Sequence, residues 1–165
     1  MSKLTYNISD NFISQKELSS MIELITGVNF PWYFQEQINT HHLKTDNSFY
    51  FTHLLFIDNR INSDAFDVFF PIIDKLQAKS LIRVKLNCYP RTEKIQENEP
   101  HKDYEYDHKG LIFYFNNCDG YTKLNGSTKI ETVANRALFF NPALPHQSST
   151  CTNAKARFNM NINYF

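Results

Sequence analysis

Two histidines and one aspartate in the second half of the chain have the residue types and the order of a mononuclear metal site. His101 and Asp103 are separated by a single residue, and His146 lies on a later segment. Two imidazoles and one carboxylate form the facial triad of non-haem Fe(II) sites, which holds the metal from one face and leaves its other positions open. Because open positions can accept reactants, this pattern predicts a catalytic iron site.

The other histidines fit a metal site less well. His108 is the alternative third ligand because it follows closely after Asp103, but its loop is rich in tyrosine and aspartate, and we expect His146 to bind the metal instead. His41 and His42 lie in a polar connection between two predicted strands. We expect both of them to be exposed loop residues.

Three predicted strands, 81–89, 110–116 and 156–165, each have one apolar and one polar face, because successive side chains of a strand point to opposite sides. In the last strand, Arg157, Asn159, Asn161 and Asn163 alternate with Phe158, Met160, Ile162 and Tyr164. If the apolar faces pack beneath the predicted helices, the polar faces line the interior of a barrel. That interior would contain Tyr89, Tyr114, Arg157 and Asn87.

A guanidinium in such an interior requires an anionic partner, since leaving a buried charge unpaired is costly. No Asp or Glu occupies the inward positions of these three strands. A dicarboxylic ligand would supply the missing charge, with a bidentate contact from Arg157 and a hydrogen bond from the phenol of Tyr114. The sequence therefore predicts a carboxylate-binding pocket beside the metal site.

The elements that position these residues begin with helices and continue as short strands. Ser14 and Glu17 form a capping box before a helix that ends at Gly27, and a second helix is predicted over 62–79, kinked or divided at Pro71. Strands are predicted over 30–37, 48–57, 81–89, 110–116, 121–124, 127–133, 136–140 and 156–165, with a hairpin turn at Asn125-Gly126. This order predicts a mainly β fold, a double-stranded β-helix or jelly-roll. We expect one domain over 1–165, with supporting helices in about 10–80 and the jelly-roll core in about 81–165.

Composition narrows the classes of function. The 165 residues contain 17 basic and 17 acidic side chains, so the formal net charge is zero. This charge gives no reason to expect binding to nucleic acid or to an anionic membrane. No signal-like or membrane-spanning apolar run is present, and we expect a cytoplasmic protein. Cys88, Cys118 and Cys151 are odd in number and widely spaced, which argues for reduced thiols.

A charged segment, 91–100, leads directly into His101, and 102–109 continues it. A long polar loop beside a metal site is a common place for a lid or a substrate-recognition element. A merely flexible connection is the alternative interpretation.

Several motifs occur in the order found in one enzyme family. They are Cys88-Tyr89-Pro90, His101-Lys102-Asp103, Phe113-Tyr114-Phe115-Asn116, Arg136-Ala137-Leu138-Phe139-Phe140 before His146, Ala156-Arg157, and a final Tyr164-Phe165. Over roughly 83–165 the chain resembles the 2-oxoglutarate- and Fe(II)-dependent dioxygenases, and within them the prolyl 4-hydroxylase-like branch.

The resemblance implies the cofactors and a role for each site residue. It implies that His101, Asp103 and His146 ligate Fe(II), that Arg157 and Tyr114 bind the distal carboxylate of 2-oxoglutarate, and that Tyr89 contacts its metal-chelating end. Asn87 joins the expected cosubstrate-binding residues because it shares the polar face with Tyr89. Dioxygen is the implied co-reactant, and ascorbate is a candidate further cofactor.

The implied activity is hydroxylation of an amino-acid side chain, with proline in a peptide or protein as the first candidate and with release of succinate and CO2. Asp103 favours hydroxylation, because related halogenases have a small residue in place of this carboxylate. The expected partner is a peptide, protein or small-molecule substrate. Two alternatives stay open: an oxygenase of nucleobases or small molecules, and a metal-binding jelly-roll without catalysis. The pairing of Arg157 with Tyr114 argues against the second, which has no need of a carboxylate clamp.

Overall fold

The computed structural model describes residues 5–36 and 49–165, so His41 and His42 lie outside the described residues. The described helices and strands have the following bounds. They are β1 Asn7–Ser9, α1 Gln15–Thr26, β2 Tyr33–Gln35, β3 Tyr50–Ile57, β4 Arg60–Ile61, a 3-10 helix Phe66–Phe69, α2 Phe70–Asp74, β5 Leu81–Pro90, β6 Lys109–Tyr114, β7 Tyr121–Leu124, β8 Thr128–Glu131, β9 Arg136–Phe140, β10 His146–Ser148 and β11 Ala156–Tyr164.

The strands form two antiparallel sheets. The large sheet has eight strands in the order β1-β9-β6-β11-β5-β3-β2, with β4 paired to β3, and the small sheet has the order β10-β7-β8. β11 lies between β5 and β6: Arg157 pairs with Tyr89, and Asn159 pairs with both Asn87 and Tyr114. The polar residues predicted on three separate strands are therefore neighbours on one face of the large sheet.

The other face of the large sheet packs against the helices. The main apolar core joins α1, the 3-10 helix and α2 to the apolar residues of the central strands. Its fully buried strand members include Val84, Leu86, Leu111, Phe113, Met160 and Ile162. Burial of this apolar surface is the main driving force that fixes which face of each strand points away from the helices.

Helix α1 begins and ends as its sequence predicts. The Ser14 side chain accepts a hydrogen bond from the Glu17 amide, and the Glu17 carboxylate accepts one from the Ser14 amide, which completes the capping box. Leu18, Met21 and Ile25 form the buried stripe. The hairpin turn is also confirmed, because Ser127 donates its amide to the Leu124 carbonyl around two residues with positive φ.

The N-terminal part is less helical than predicted. The helix expected over 62–79 is only the 3-10 helix Phe66–Phe69 and the short α2, with Pro71 inside the first turn of α2. Residues before β5 also contribute four strands to the large sheet: β2 and β3 lie where strands were predicted, over 30–37 and 48–57, whereas β1 and β4 were not predicted. The predicted helical support over about 10–80 is therefore wrong in extent, since this region both covers the sheet and extends it.

None of the helices in the described ranges has the length and apolar character needed to cross a membrane.

Candidate metal and carboxylate site

His101, Asp103 and His146 come together between the two sheets. Each offers one ligand atom, and these atoms lie within 4.8 Å of one another. The backbones of His101 and His146 exchange two hydrogen bonds of 2.9 Å, which set the imidazoles side by side with ring centroids 4.5 Å apart. A loop residue before Asp103 and the first residue of β10 are thereby fixed to each other.

In both imidazoles Nδ1 faces a backbone carbonyl, which leaves Nε2 available to a metal. Nδ1 of His101 lies 3.3 Å from the Glu99 carbonyl oxygen, and Nδ1 of His146 lies 3.1 Å from the Leu144 carbonyl oxygen. A carbonyl can only accept, so each Nδ1 donates and each Nε2 keeps a lone pair. This arrangement is the one that orients a histidine as a metal ligand through Nε2.

Burial keeps the imidazoles neutral. Burial, together with the neighbouring His146, lowers the pKa of His101 to about 4, and burial also lowers the pKa of His146. A metal ligand must be deprotonated, so both rings are in the binding form at neutral pH.

Neighbouring side chains hold the carboxylate of Asp103 in its charged form and fix its orientation. Burial by itself would raise the pKa of Asp103, but Arg83 and the two imidazoles hold it well below its usual range. Arg83 Nη2 donates to Oδ1 at 2.8 Å, and Asn161 Nδ2 donates to Oδ2 at 3.1 Å. These bonds orient the carboxylate, as hydrogen bonds from outer residues do for metal-binding carboxylates in general. The donor set therefore fits a divalent cation such as Fe(II).

His108 does not join this cluster. Its Nδ1 lies 2.9 Å from the Tyr106 carbonyl oxygen and its Nε2 lies 2.9 Å from Asn163 Oδ1, so both nitrogens already have hydrogen-bond partners. The choice of His146 over His108 agrees with this geometry.

Arg157 is a fully buried cation at the inner end of the same face, with no exposed surface. Its guanidinium donates to the hydroxyls of Thr132 and Thr122, at 2.7 and 2.9 Å, and to the Ser149 carbonyl at 3.3 Å. Within 5–36 and 49–165, no carboxylate forms an ion pair with it. Since a guanidinium has five N–H donors, two are left for a ligand.

Thr122 links Arg157 to Tyr114. Its hydroxyl accepts hydrogen bonds from Arg157 Nη2 and from the Tyr114 phenol, the latter at 2.8 Å, and Thr122 also lines the cavity that contains the triad. A hydroxyl has two acceptor sites and one donor, so its proton is free to point to a third group. A bound carboxylate would accept it.

Thr122 and Thr132 are the site residues that sequence reasoning missed. The signal available was weak: Thr122 has the inward phase of a short alternating strand, but threonine is common in strands with no function.

Tyr89 and Asn87 also face this cavity. The Arg157 guanidinium lies 5.4 Å from the centre of the Tyr89 ring, which stacks on Tyr50 with centroids 5.3 Å apart. Asn87 donates through Nδ2 to Asn159, whereas its buried Oδ1 has no hydrogen-bond partner. Of the four residues expected to bind a cosubstrate, Tyr89 and Asn87 thus line the cavity of the triad, whereas Arg157 and Tyr114 lie behind Thr122, which does line it.

The segment before the triad is tied to the small sheet. Asn98 donates its amide to the Ser148 carbonyl, Thr150 donates its amide to the Gln96 carbonyl, and Glu97 forms an isolated antiparallel bridge with Ser149. The Glu97 carboxylate accepts hydrogen bonds from Tyr121, Lys123 and Gln147. This part of the predicted loop is therefore an added edge of the small sheet, and its geometry does not match a free lid.

Comparison with known proteins places the fold. No protein-family model and no curated protein sequence matches the chain. Solved structures do match: a Pseudomonas putida prolyl-4-hydroxylase has a TM-score of 0.69 at 10% identity, over 99% of this chain and 94% of that one. A Trichoplax adhaerens prolyl hydroxylase in complex with a hypoxia-inducible-factor peptide fragment has a TM-score of 0.67 at 14% identity, over 97% and 83%.

A third structure with this fold was solved with a metal and 2-oxoglutarate bound. HygX from Streptomyces hygroscopicus, solved with nickel and 2-oxoglutarate bound, has a TM-score of 0.65 at 8% identity, over 98% of this chain and 82% of that one. At these identities the similarity establishes the architecture, and the predicted fold class is confirmed. The chain has the double-stranded β-helix fold of prolyl 4-hydroxylases and other 2-oxoglutarate-Fe(II) oxygenases.

Proposed function

We propose that this protein is an Fe(II)- and 2-oxoglutarate-dependent oxygenase that hydroxylates an amino-acid side chain and releases succinate and CO2. The observation that carries the proposal is the fully buried Arg157, which has no carboxylate partner among the described residues and lies on the strand that also orients Asp103 through Asn161. These two strand positions are roughly 13 Å apart at about 3.3 Å per residue. Because the two side chains extend from the same face of the strand, we expect a small dicarboxylate to reach from the Arg157 guanidinium to a metal held beside Asp103.

His101, Asp103 and His146 would hold the metal, with Nε2 of each imidazole free to bind and the carboxylate kept ionised by Arg83. Bound Fe(II) supplies dioxygen activation coupled to oxidative decarboxylation of the cosubstrate. The chain contributes geometry and electrostatics to that chemistry. HygX, which binds nickel and 2-oxoglutarate on the same architecture, supports this assignment of cofactors.

Arg157 and Thr122 would bind the distal carboxylate of 2-oxoglutarate, with the Tyr114 phenol held against Thr122 to complete the pocket. The Tyr89 ring covers the guanidinium and excludes water from it. Ion pairing in such a dry pocket is stronger than in water, because the local dielectric constant is low. Asn87 lines the same cavity as the triad, and its unpaired Oδ1 would accept a hydrogen bond from a ligand group that carries a proton, such as a metal-bound water.

Proline in a peptide or protein is the first candidate for the hydroxylated residue. It is supported by the prolyl hydroxylases among the structural neighbours, one of which is bound to a peptide fragment. The assignment is a starting point for substrate screening, and the binding of metal and cosubstrate can be tested without it.

The test is metal-dependent binding of 2-oxoglutarate and succinate formation by the purified protein, with Arg157→Ala and Arg157→Lys as variants. Loss of one partner of a buried charge pair costs about 2–5 kcal/mol, so we expect Arg157→Ala to raise the Kd for 2-oxoglutarate by at least about tenfold. Arg157→Lys keeps the charge but not the bidentate fork, and we expect an intermediate Kd.

Arg60→Ala is the matched control, because it removes an exposed arginine from β4. Thermal unfolding of each variant separates a lost contact from a lost fold. An unaltered Kd in a folded Arg157→Ala protein would contradict the carboxylate site, and absence of any metal-dependent 2-oxoglutarate binding would favour a non-catalytic barrel.

A further inference from the structure

Lys85 points into the metal site from the large sheet. It lies on β5 directly opposite Asn161, the residue that hydrogen-bonds Asp103, and it lines the same cavity as the triad. It also lines a second, more open groove formed by residues at the end of α1 and on β3, including Leu24 and Thr52. Lys85 is therefore placed where the outer groove meets the metal cavity.

The ammonium of Lys85 has little to neutralise it. Within the part of the chain that the structure describes, it forms neither a hydrogen bond nor an ion pair, and its nearest aromatic contact is the Tyr50 ring, 5.7 Å from the centroid. Burial and, to a lesser extent, Arg83 lower the pKa of Lys85 while Asp103 raises it, and the balance is a pKa of about 8. The side chain is still mainly protonated at neutral pH, so a partly desolvated cation faces the cavity.

Among the described residues, the lining of the cavity offers this cation one anion only, Asp103. Its lining around Lys85 consists mostly of neutral amides and hydroxyls, namely Asn87, Asn159, Asn161, Gln147, Ser148 and Tyr50. The one carboxylate, Asp103, is already engaged by Arg83 and Asn161. An isolated cation in such a place is stabilised when a ligand brings an anionic group.

The position of Lys85 along its strand indicates which ligand this is. Arg157, the proposed partner of the distal carboxylate of the cosubstrate, is paired with Tyr89, four residues away from Lys85 on β5. Lys85 instead lies level with Asp103 and Asn161 and faces the groove through which a second reactant can arrive. Its location favours a contact with the primary substrate.

We propose that Lys85 binds a carboxylate of the primary substrate and so selects an anionic substrate for this site. The inference rests on the proposed oxygenase function. The carboxylate comes either from a free amino acid or from an acidic side chain adjacent to the target residue of a peptide. Both sources present the same group to the ammonium, and matched probes tell them apart.

The experiment measures substrate-stimulated succinate formation with two pairs of probes. Free L-proline is compared with L-prolinamide, and acetyl-Glu-Pro-Gly-amide with acetyl-Gln-Pro-Gly-amide, so that each pair differs in one carboxylate. The proteins are the unmodified chain, Lys85→Met, Lys85→Arg and Lys109→Met, the last being an exposed lysine outside the cavity. The Kd for 2-oxoglutarate is measured beside turnover by calorimetry with Ni(II)-loaded protein.

The unmodified protein is expected to prefer the carboxylate member of one pair by at least about tenfold in kcat/KM, a difference of about 1.4 kcal/mol. Lys85→Met should abolish that preference while the Kd for 2-oxoglutarate changes less than twofold, Lys85→Arg should retain most of it, and Lys109→Met should have no effect. The pair that responds identifies the source of the carboxylate.

Three results would overturn the inference. The first is that neither pair of probes shows stimulation or a preference for the carboxylate member. The second is a preference that survives in Lys85→Met. The third is a tenfold rise in the Kd for 2-oxoglutarate in Lys85→Met, which would assign Lys85 to the cosubstrate. If the unmodified protein does not bind 2-oxoglutarate in the presence of Ni(II), the proposed function itself fails. Normal cosubstrate binding without carboxylate preference removes only the role of Lys85.

Discussion

Gly120 has a role at the Arg157 pocket that its sequence context conceals. A Cβ at this position would lie 2.6 Å from the Thr150 carbonyl oxygen and 2.7 Å from Cδ of Arg157. Both distances are far below van der Waals contact, and one of the two neighbours is backbone, which cannot move aside easily. The absence of a side chain at Gly120 is what lets the arginine stem pass over this turn.

We predict that Gly120→Ala displaces Arg157 and weakens binding of 2-oxoglutarate by about tenfold or more, because the buried guanidinium loses its alignment with Thr122 and Thr132. Metal affinity should change far less, since the triad does not contact this turn. Titration calorimetry with Ni(II) and then with 2-oxoglutarate measures the two effects separately. Arg60→Ala, which removes an exposed side chain from β4, is the control. Equal losses of metal and cosubstrate affinity would show a general disruption instead.

At the scale of elements, the segment 96–101 determines how rigid the metal site is. It is bonded along β10 through backbone groups and through Glu97, whose carboxylate bridges Tyr121 and Lys123 of β7 and Gln147 of β10. His101 ends this segment and pairs with His146 at the start of β10. Anything that loosens the segment therefore changes the distance between two proposed metal ligands.

We predict that Glu97→Ala speeds hydrogen exchange at the amides of Asn98 and His101, which donate to β10, and weakens metal binding severalfold. The carboxylate is partly exposed, so its loss should lower the free energy of unfolding by only about 1–2 kcal/mol. Exchange measured by mass spectrometry and metal titration check both effects. Glu93→Ala, an exposed change just before this segment, should leave them unaltered. Unaltered exchange in the Glu97 variant would mean that the backbone bonds alone hold the segment.

Much of the fold could be predicted from local patterns. The capping box at Ser14 and the turn at Asn125-Gly126 are local signals, and they gave α1 and the β7-β8 hairpin correctly. The helix over 62–79 was overestimated for a physical reason. Phe66 and Phe69 are spaced by three residues, which places them on one side of either a 3-10 or an α-helix, so the periodicity does not distinguish the two.

The site shows where sequence reasoning stops. His101 and Asp103 are close in sequence and chemically distinctive, so their proximity was predictable, and alternation along β11 predicted the inward direction of Arg157. Thr122 and Gly120 gained their roles only through contact with Arg157 from a different part of the chain. Such contacts depend on sheet order, which one sequence does not state. The ligand roles of the triad stay predictions until metal binding is measured.

At the scale of the whole molecule, the proposed metal ligands connect the two sheets. His146 belongs to β10 of the small sheet, whereas Asp103 is held by Asn161 of β11 and Arg83 of β5 in the large sheet. A ligand that binds only the folded state stabilises it by mass action. Metal binding is therefore expected to stabilise the packing of the sheets as well as to complete the site.

We predict that Ni(II) at about 100 times its Kd stabilises the protein by about 2.7 kcal/mol and raises Tm by roughly 5–10 °C. A further rise should follow when 2-oxoglutarate is added with the metal, and a chelator should reverse both. Scanning calorimetry gives the measurement, with Asp103→Ala expected to remove the shift and Glu105→Ala, an exposed carboxylate nearby, to retain it. A full shift in Asp103→Ala would place the metal elsewhere.

The central place of β11 in the large sheet has a consequence for the order of events during synthesis. β5 and β6 precede β11 in the chain, yet β11 is the strand that hydrogen-bonds to both, so the β3-β5 and β6-β9 pairs cannot be joined through it until β11 has been made. β11 also carries Arg157 and Asn161. A single folding event therefore joins β5 to β6 and brings both the proposed carboxylate-binding cation and the residue that orients Asp103 into the site.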